Sequence, residues 1–198
     1  MRVDLKLIEQ WIPNNSYILD LGCGDGSLLQ NLRRNKNIQG IGIEINSGKI
    51  QQCLEKNVPV IELDMSEALQ EFDDNSFDIV VMTQSLQVVK QPQKILKEAL
   101  RVGKDVIIAF PNFAHWSNRM YLNFKGKMPV SKNLPYSWYD TPNIHFFTVK
   151  DFNEYCTSMN LSISSHAFLD RTMTESFLSK RSPNIFSSIA MYKIRDEQ

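Results

Sequence analysis

The chain has 198 residues, and its 22 Lys plus Arg balance its 22 Asp plus Glu. That length supports one domain with a full core, and a formally neutral chain lacks the global basic footprint of a nucleic-acid binder. No apolar run approaches membrane-spanning length, the first residues carry no signal-peptide pattern, and the scattered Cys23, Cys53 and Cys156 argue against a disulfide framework or zinc site and for a reducing cytoplasm.

Taken in chain order, Asp4 caps a predicted first helix with Leu5, Ile8 and Ile12 on one face, and Pro13 and Asn14 end it. Tyr17, Ile18 and Leu19 form a short apolar run, as in a buried strand, which Asp20 ends. Gly22, Gly24 and Gly26 then make a tight turn, and Ser27 to Arg34 has helical periodicity. Strand, glycine turn and helix together open a nucleotide-binding α/β fold. Glycine is needed because a Cβ would block both the turn and the approach of a ligand to the backbone.

Ile38 to Ile45 is a second strand, with Glu44 at its end, and Ser47 to Asn57 a helix with Ile50, Cys53 and Leu54 inward. Val58 to Leu63 is a short third strand ending at Asp64, and Phe72 to Ser76 a polar turn. Phe77 to Thr83 has the continuous apolar character of a buried parallel strand. Pro92 opens a helix with Ile95, Leu96 and Leu100 inward, and Asp105 to Phe110 is the fifth strand. Five strands alternating with helices mean a parallel doubly wound sheet. A late helix, Thr148 to Met159, starts with Thr148 and Asp151 spaced as a capping box, and Leu161 to Leu169 and Ile185 to Ile194 are two final strands. No internal repeat or domain linker interrupts the chain, which reads as a single domain over 1–198.

The spacing of the glycines bears on the ligand. A dinucleotide fold wants G-x-G-x-x-G so that a pyrophosphate can sit at the helix N-terminus. Here the pattern is G-x-G-x-G, and Ser27 stands where the third glycine would be. Asp20 and Asp25 would repel a pyrophosphate and suit a cationic ligand. Glu44 lies about 20 residues past the turn, where an acid accepts hydrogen bonds from a ribose diol. Ligands of open α/β sheets bind outside the carboxyl ends of the strands, which gathers Asp20, Gly22, Gly24, Glu44, Asp64 and Gln84 into one cleft. Asp64 has a second reading as a helix cap before Glu67, and Cys23 reads as a small filler of the turn.

Leu19 to Gly26 resembles motif I of class I S-adenosylmethionine (SAM) methyltransferases. The resemblance implies SAM or S-adenosylhomocysteine as cofactor. It also implies a mostly parallel, Rossmann-like sheet of seven strands whose last two strands form an antiparallel edge pair. By the same resemblance Asp20 and the turn residues Gly22, Cys23, Gly24 and Gly26 face the methionine half. Glu44 faces the ribose, Asp64 and Met65 the adenine, Ile45 is a further cofactor contact beside Glu44, and Gln84 lies in the cleft beyond the fourth strand.

The segment 111–147 does not read as plain scaffold. Pro111, Pro129, Pro135 and Pro142 punctuate it, and Phe113, Trp116, Tyr121, Phe124, Tyr136, Trp138, Tyr139, Phe146 and Phe147 run through it. Trp116, Met120 and Phe124 recur every four residues, as in an amphipathic helix packed on the sheet. Arg119, Lys125, Lys127 and Lys132 are interleaved as a partner or anion surface, or as a solvated fringe. Leu19 to Gly26, Pro111-Asn112-Phe113 and Met128-Pro-Val-Ser-Lys-Asn-Leu-Pro-Tyr-Ser-Trp-Tyr-Asp-Thr-Pro-Asn-Ile-His145 together resemble the bacterial methionine-biosynthesis MetW family, over nearly the whole chain.

That resemblance implies a SAM-binding accessory or regulatory subunit acting with homoserine O-acyltransferase. Tyr136, Trp138 and Tyr139 are the candidate partner contacts. The alternative is a working methyltransferase, with His115, Tyr139, Asp140 and His145 as candidate bases. Gln84-Ser-Leu-Gln-Val stands where amino-methylating nucleic-acid enzymes carry Asn/Asp-Pro-Pro-Tyr, so nucleic acid is a poor acceptor.

Overall fold

The computed structural model describes residues 3–131 and 134–197. Helix α1 (Val3–Trp11) leads to β1 (Tyr17–Leu21), α2 (Ser27–Lys36), β2 (Gln39–Glu44), α3 (Ser47–Glu55) and β3 (Val60–Glu62). Then follow α4 (Met65–Ala68), β4 (Phe77–Thr83), α5 (Pro92–Val102) and β5 (Gly103–Pro111). The chain ends with α6 (Trp116–Lys125), α7 (Val149–Ser158), β6 (Leu161–Leu169), α8 (Phe177–Arg181), α9 (Pro183–Phe186) and β7 (Ile189–Asp196).

The strands form one seven-stranded sheet in the order β3-β2-β1-β4-β5-β7-β6. β1 to β5 are mutually parallel, and β7 runs antiparallel to both β5 and β6. Strand period two sends alternate residues to opposite faces, and here both faces are covered. Leu19, Leu21, Val80, Met82, Ile108 and Phe110 pack with α5 and α7 on one side. Ile18, Ile79, Val81, Ile107 and Ala109 pack with α1 and α2 on the other. Burial on both faces is what gives β4 its unbroken apolar sequence. β1 pairs with β2 on one side and β4 on the other, so the winding direction reverses there. The glycine turn leaves the carboxyl end of β1, at the topological switch point where such sheets bind ligands.

Several local expectations change. Asp4 lies inside the first turn of α1, fully buried, rather than before the helix. Leu54 is 61% exposed, because the inward side of α3 is carried by Cys53, and Leu54 is turned about 100° away. The last strand starts at Ile189, since Pro183 opens the helical turn α9 instead of a strand. Most consequential is α6. Trp116, Met120 and Phe124 are 45%, 44% and 73% exposed, and among its described residues only Asn118 is buried. The helix leaves from beyond the end of β5, so its apolar stripe has no sheet beneath it.

Candidate cofactor cleft

The turn is held by backbone donors. Gly22 and Cys23 both donate to the Ile43 carbonyl of β2, at 2.8 and 3.1 Å. Gly22 has φ +74°, and a Cβ there would lie 3.3 Å from the Ser85 Cβ, so the turn passes directly under the segment after β4. Gly24 has φ +58° and open space where its side chain would be. A Cβ at Gly26 would press on the Cys53 Sγ at 2.9 Å, which places that glycine against α3 rather than at the cleft.

Each acid of the region has a different fate. Glu44 anchors the turn: its Oε2 accepts from the Gly24 amide at 2.9 Å, and its Oε1 accepts from the Ile45 and Asn46 amides at 2.8 and 3.0 Å. Asp25 is spent locally, because its carboxylate accepts from the Ser27 amide and hydroxyl and pairs with Lys56. Burial alone would raise its pKa, but these donors hold it down at about 2. Asp25 therefore does not serve a cationic ligand in the way its place in the turn suggests. Asp64 is the N-cap of α4, with Oδ1 taken by the Ser66 amide and hydroxyl.

Asp20 is the exception. It is 1% exposed, and its Oδ1 has no partner among the described residues. Burial first, and then the charge of Glu44, push its pKa up to about 7. The Ser85 Oγ is likewise buried without a partner, directly across Gly22. A buried polar atom left unpaired costs about 1–3 kcal/mol, so these two atoms make the switch point the candidate ligand site. Ser85 escapes the sequence reading, although it directly follows the candidate Gln84. Gln84 adopts φ +57°, donates to the Ala109 carbonyl at 2.7 Å and accepts from the Gln87 side chain at 2.9 Å.

Ile45 is 67% exposed at the rim, and the Met65 side chain reaches within 3.7 Å of the Gly22 Cβ position. Cys23 is buried, and its Sγ packs on Gly42 of β2, so only its backbone can face a ligand. The candidate bases are dispersed. His115 caps α6, Tyr139 and Asp140 lie on the exposed part of the insertion, and His145 donates its amide to the Gln87 carbonyl. The His145 Nε2 is buried without a partner among the described residues. Tyr136, Trp138 and Tyr139 are 47%, 75% and 74% exposed. Arg119, Lys125 and Lys127 are exposed, while Lys132 lies outside the described residues.

A family model described as methionine biosynthesis protein MetW matches residues 2–194. The chain belongs to the MetW family. The bifunctional methionine biosynthesis protein MetXA/MetW of Rhodopirellula baltica is 30% identical over 206 residues, covering 100% of this chain. This MetW-family chain spans only 33% of that relative's length. Among solved structures, a SAM-dependent methyltransferase from Thermotoga maritima superposes with a TM-score of 0.67 at 18% identity, covering 98% of this chain and 88% of that one. The [4+2]-cyclase SpnF superposes at 0.68 and 16% identity, covering 98% and 80%. At such identity the likeness is one of fold. The MetW-family chain has the sheet of SAM methyltransferases, and that same frame also carries a cyclase.

Proposed function

We propose that this chain binds SAM at the glycine turn and serves methionine biosynthesis as an accessory or regulatory subunit of homoserine O-acyltransferase. The observation that carries the SAM reading is the buried Asp20 carboxylate, whose Oδ1 has no partner among the described residues, at the strand end that leads into Gly22. SAM carries an ammonium and a sulfonium and no phosphate, so a buried carboxylate without a counter-cation suits it. A carboxylate has about four acceptor sites, and the three amides on Glu44 leave room at Oε2 for a ribose hydroxyl. Gly22 and Gly24 bring backbone close to the ligand, Cys23 contributes backbone only, and Ile45 and Met65 flank the adenine. Asp64 contributes its second oxygen, and Gln84 closes the cleft from the β4 side. Gly26 supports the turn from behind.

The acyltransferase reading is supported by the relative that joins MetXA and MetW in one protein. The free, buried thiols of Cys23, Cys53 and Cys156 suit the cytoplasm. Among the described residues no helix is long and apolar enough to cross a membrane.

SAM and S-adenosylhomocysteine are expected to bind and NAD not to, by titration calorimetry. Tighter NAD than SAM binding would overturn the assignment. Glu44→Ala is expected to weaken SAM by about 30-fold, the equivalent of roughly 2 kcal/mol.

Asp20 adds a pH dependence. With its pKa near 7, Asp20 is partly protonated in the ligand-free protein at neutral pH, whereas an ammonium ligand needs the carboxylate. SAM affinity should therefore rise as pH climbs through about 7, with proton release on binding. The ligand-free fold should lose stability over the same climb, from the ordinary carboxyl value of 3.8 up to about 7, because the folded state holds the proton more tightly than the unfolded one. Asp20→Asn should flatten both profiles; an affinity profile that stays steep in the variant excludes Asp20 as the group.

His145 favours a second reading, a working methyltransferase, because its Nε2 is buried without a partner among the described residues while its amide ties it to the Gln87 carbonyl. Label passing from SAM to a cell metabolite or to the acyltransferase would decide for it, and its absence with bound SAM would decide for the accessory role.

A further inference from the structure

A second, polar cavity lies at the carboxyl end of β5, apart from the glycine turn. Its volume is about 100 Å³, and His115, Ser117, Asn118, Ser131, Arg171 and Ser188 line it. His115 and Asn118 are 4% and 6% exposed.

The hydrogen bonds define what this cavity offers. The Ser117 amide, which can only donate, points at the His115 Nδ1 at 3.2 Å, and the Ser117 hydroxyl approaches the same nitrogen at 2.7 Å. Nδ1 is therefore the acceptor, and the neutral ring carries its proton on Nε2. Burial, and then Arg171, lower the pKa of His115, which keeps the ring neutral, although Asp170 opposes this. Among the described residues nothing accepts from that Nε2–H.

Arg171 is presented by a tight turn. The Asp170 Oδ1 accepts from the Thr172 and Thr174 amides at 2.8 and 3.2 Å and from both threonine hydroxyls, and the Asp170 amide donates to the Thr174 carbonyl at 2.9 Å. Asp170, next to Arg171 in the chain, is thus occupied within the turn. Among the described residues the guanidinium has no ion-pair partner.

Arg171, His115, Asn118 and three serines thus line a space too small for a nucleotide. We propose that this cavity is a binding site for a small monocarboxylate, with Arg171 gripping the carboxylate and the His115 Nε2–H donating to it. A guanidinium matches the two oxygens of a carboxylate in plane. Among the described lining residues one cation stands beside a neutral ring and balances one negative charge, and the adjacent Asp170 opposes a second, which disfavours a phosphate dianion. The volume leaves room for only a short carbon chain behind the carboxylate.

The test is a titration of the full chain, ¹⁵N-labelled, with sodium acetate, with inorganic phosphate and with sodium chloride at constant ionic strength. The His115 ring resonances are the readout. Acetate should shift them saturably, chloride should not, and phosphate should bind more weakly than acetate. R171L, at an exposed position, should weaken acetate by about tenfold or more. No saturable acetate shift, an equal response to chloride, tighter phosphate binding, or R171L titrating like the unaltered chain would each overturn the proposal. A SAM titration of the unaltered chain, run alongside, reads the glycine-turn cleft separately, so either site can fail without the other.

Discussion

Gly24→Val is expected to abolish SAM binding while the chain stays folded. Gly24 sits at φ +58°, a region that a β-branched residue enters only with strain. Among the described residues nothing would meet its Cβ within 4 Å, so no core packing is lost. The damage falls on the turn and on the space above it. Relaxing φ moves the Gly24 amide away from Glu44, and a valine that keeps the backbone in place projects into the proposed ligand position. Gly26→Ala is the contrasting control. Its Cβ would press on Cys53 and Val58, so it should lower melting temperature rather than selectively remove binding. Circular dichroism and calorimetry of the two variants separate the cases, and full SAM binding by Gly24→Val would take Gly24 away from the cofactor.

Trp138→Ala and Tyr139→Ala are each expected to cost about 2 kcal/mol or more in affinity for the acyltransferase, with melting temperature nearly unchanged. The two rings lie edge to face, 5.6 Å between centroids, and both are about three-quarters exposed. Truncating them removes little of this protein's own packing. Pro129, Pro135 and Pro142 restrict the backbone that presents them, which lowers the cost of ordering on association. Tyr136, 47% exposed beside them, extends the same patch. Co-purification with the acyltransferase and thermal melts of both variants decide the matter. A drop of several degrees in melting temperature would make the rings part of this protein's own packing, and unchanged co-purification would remove the segment from the interface.

The strand–turn–helix at Tyr17–Lys36 and the acid at Glu44 are legible because each follows a local rule: apolar runs for strands buried on both faces, glycines where φ turns positive, an acid at a strand end. The partners those residues find are less legible. Asp25 reads as a free charge in the turn, but Lys56, distant in sequence, neutralises it through the packing of α3. Ser85 goes unnoticed because its aim depends on the left-handed backbone of Gln84, which no glycine announces. The spacing of Trp116, Met120 and Phe124 predicts a helix correctly but cannot say what covers it, and the sheet ends before it could. Pro183 opens a helical turn that runs over Ile185 and Phe186, so the strand expected from Ile185 begins only at Ile189.

Asn112, which opens the aromatic segment, has one further implication. Its side chain donates to the Pro183, Asn184 and Ser187 carbonyls and accepts from the Ala114 and Val149 amides. Immediately beyond it, the Phe113 amide meets the Phe147 carbonyl at 3.2 Å. The long excursion therefore begins and ends at a single clasp, and lengthening a closed loop adds little entropic cost. Changes of length in the exposed part around Tyr136, Trp138 and Tyr139 would therefore cost the sheet beneath little. The surface offered to the outside could thus vary while the clasp and the strands it joins keep their places.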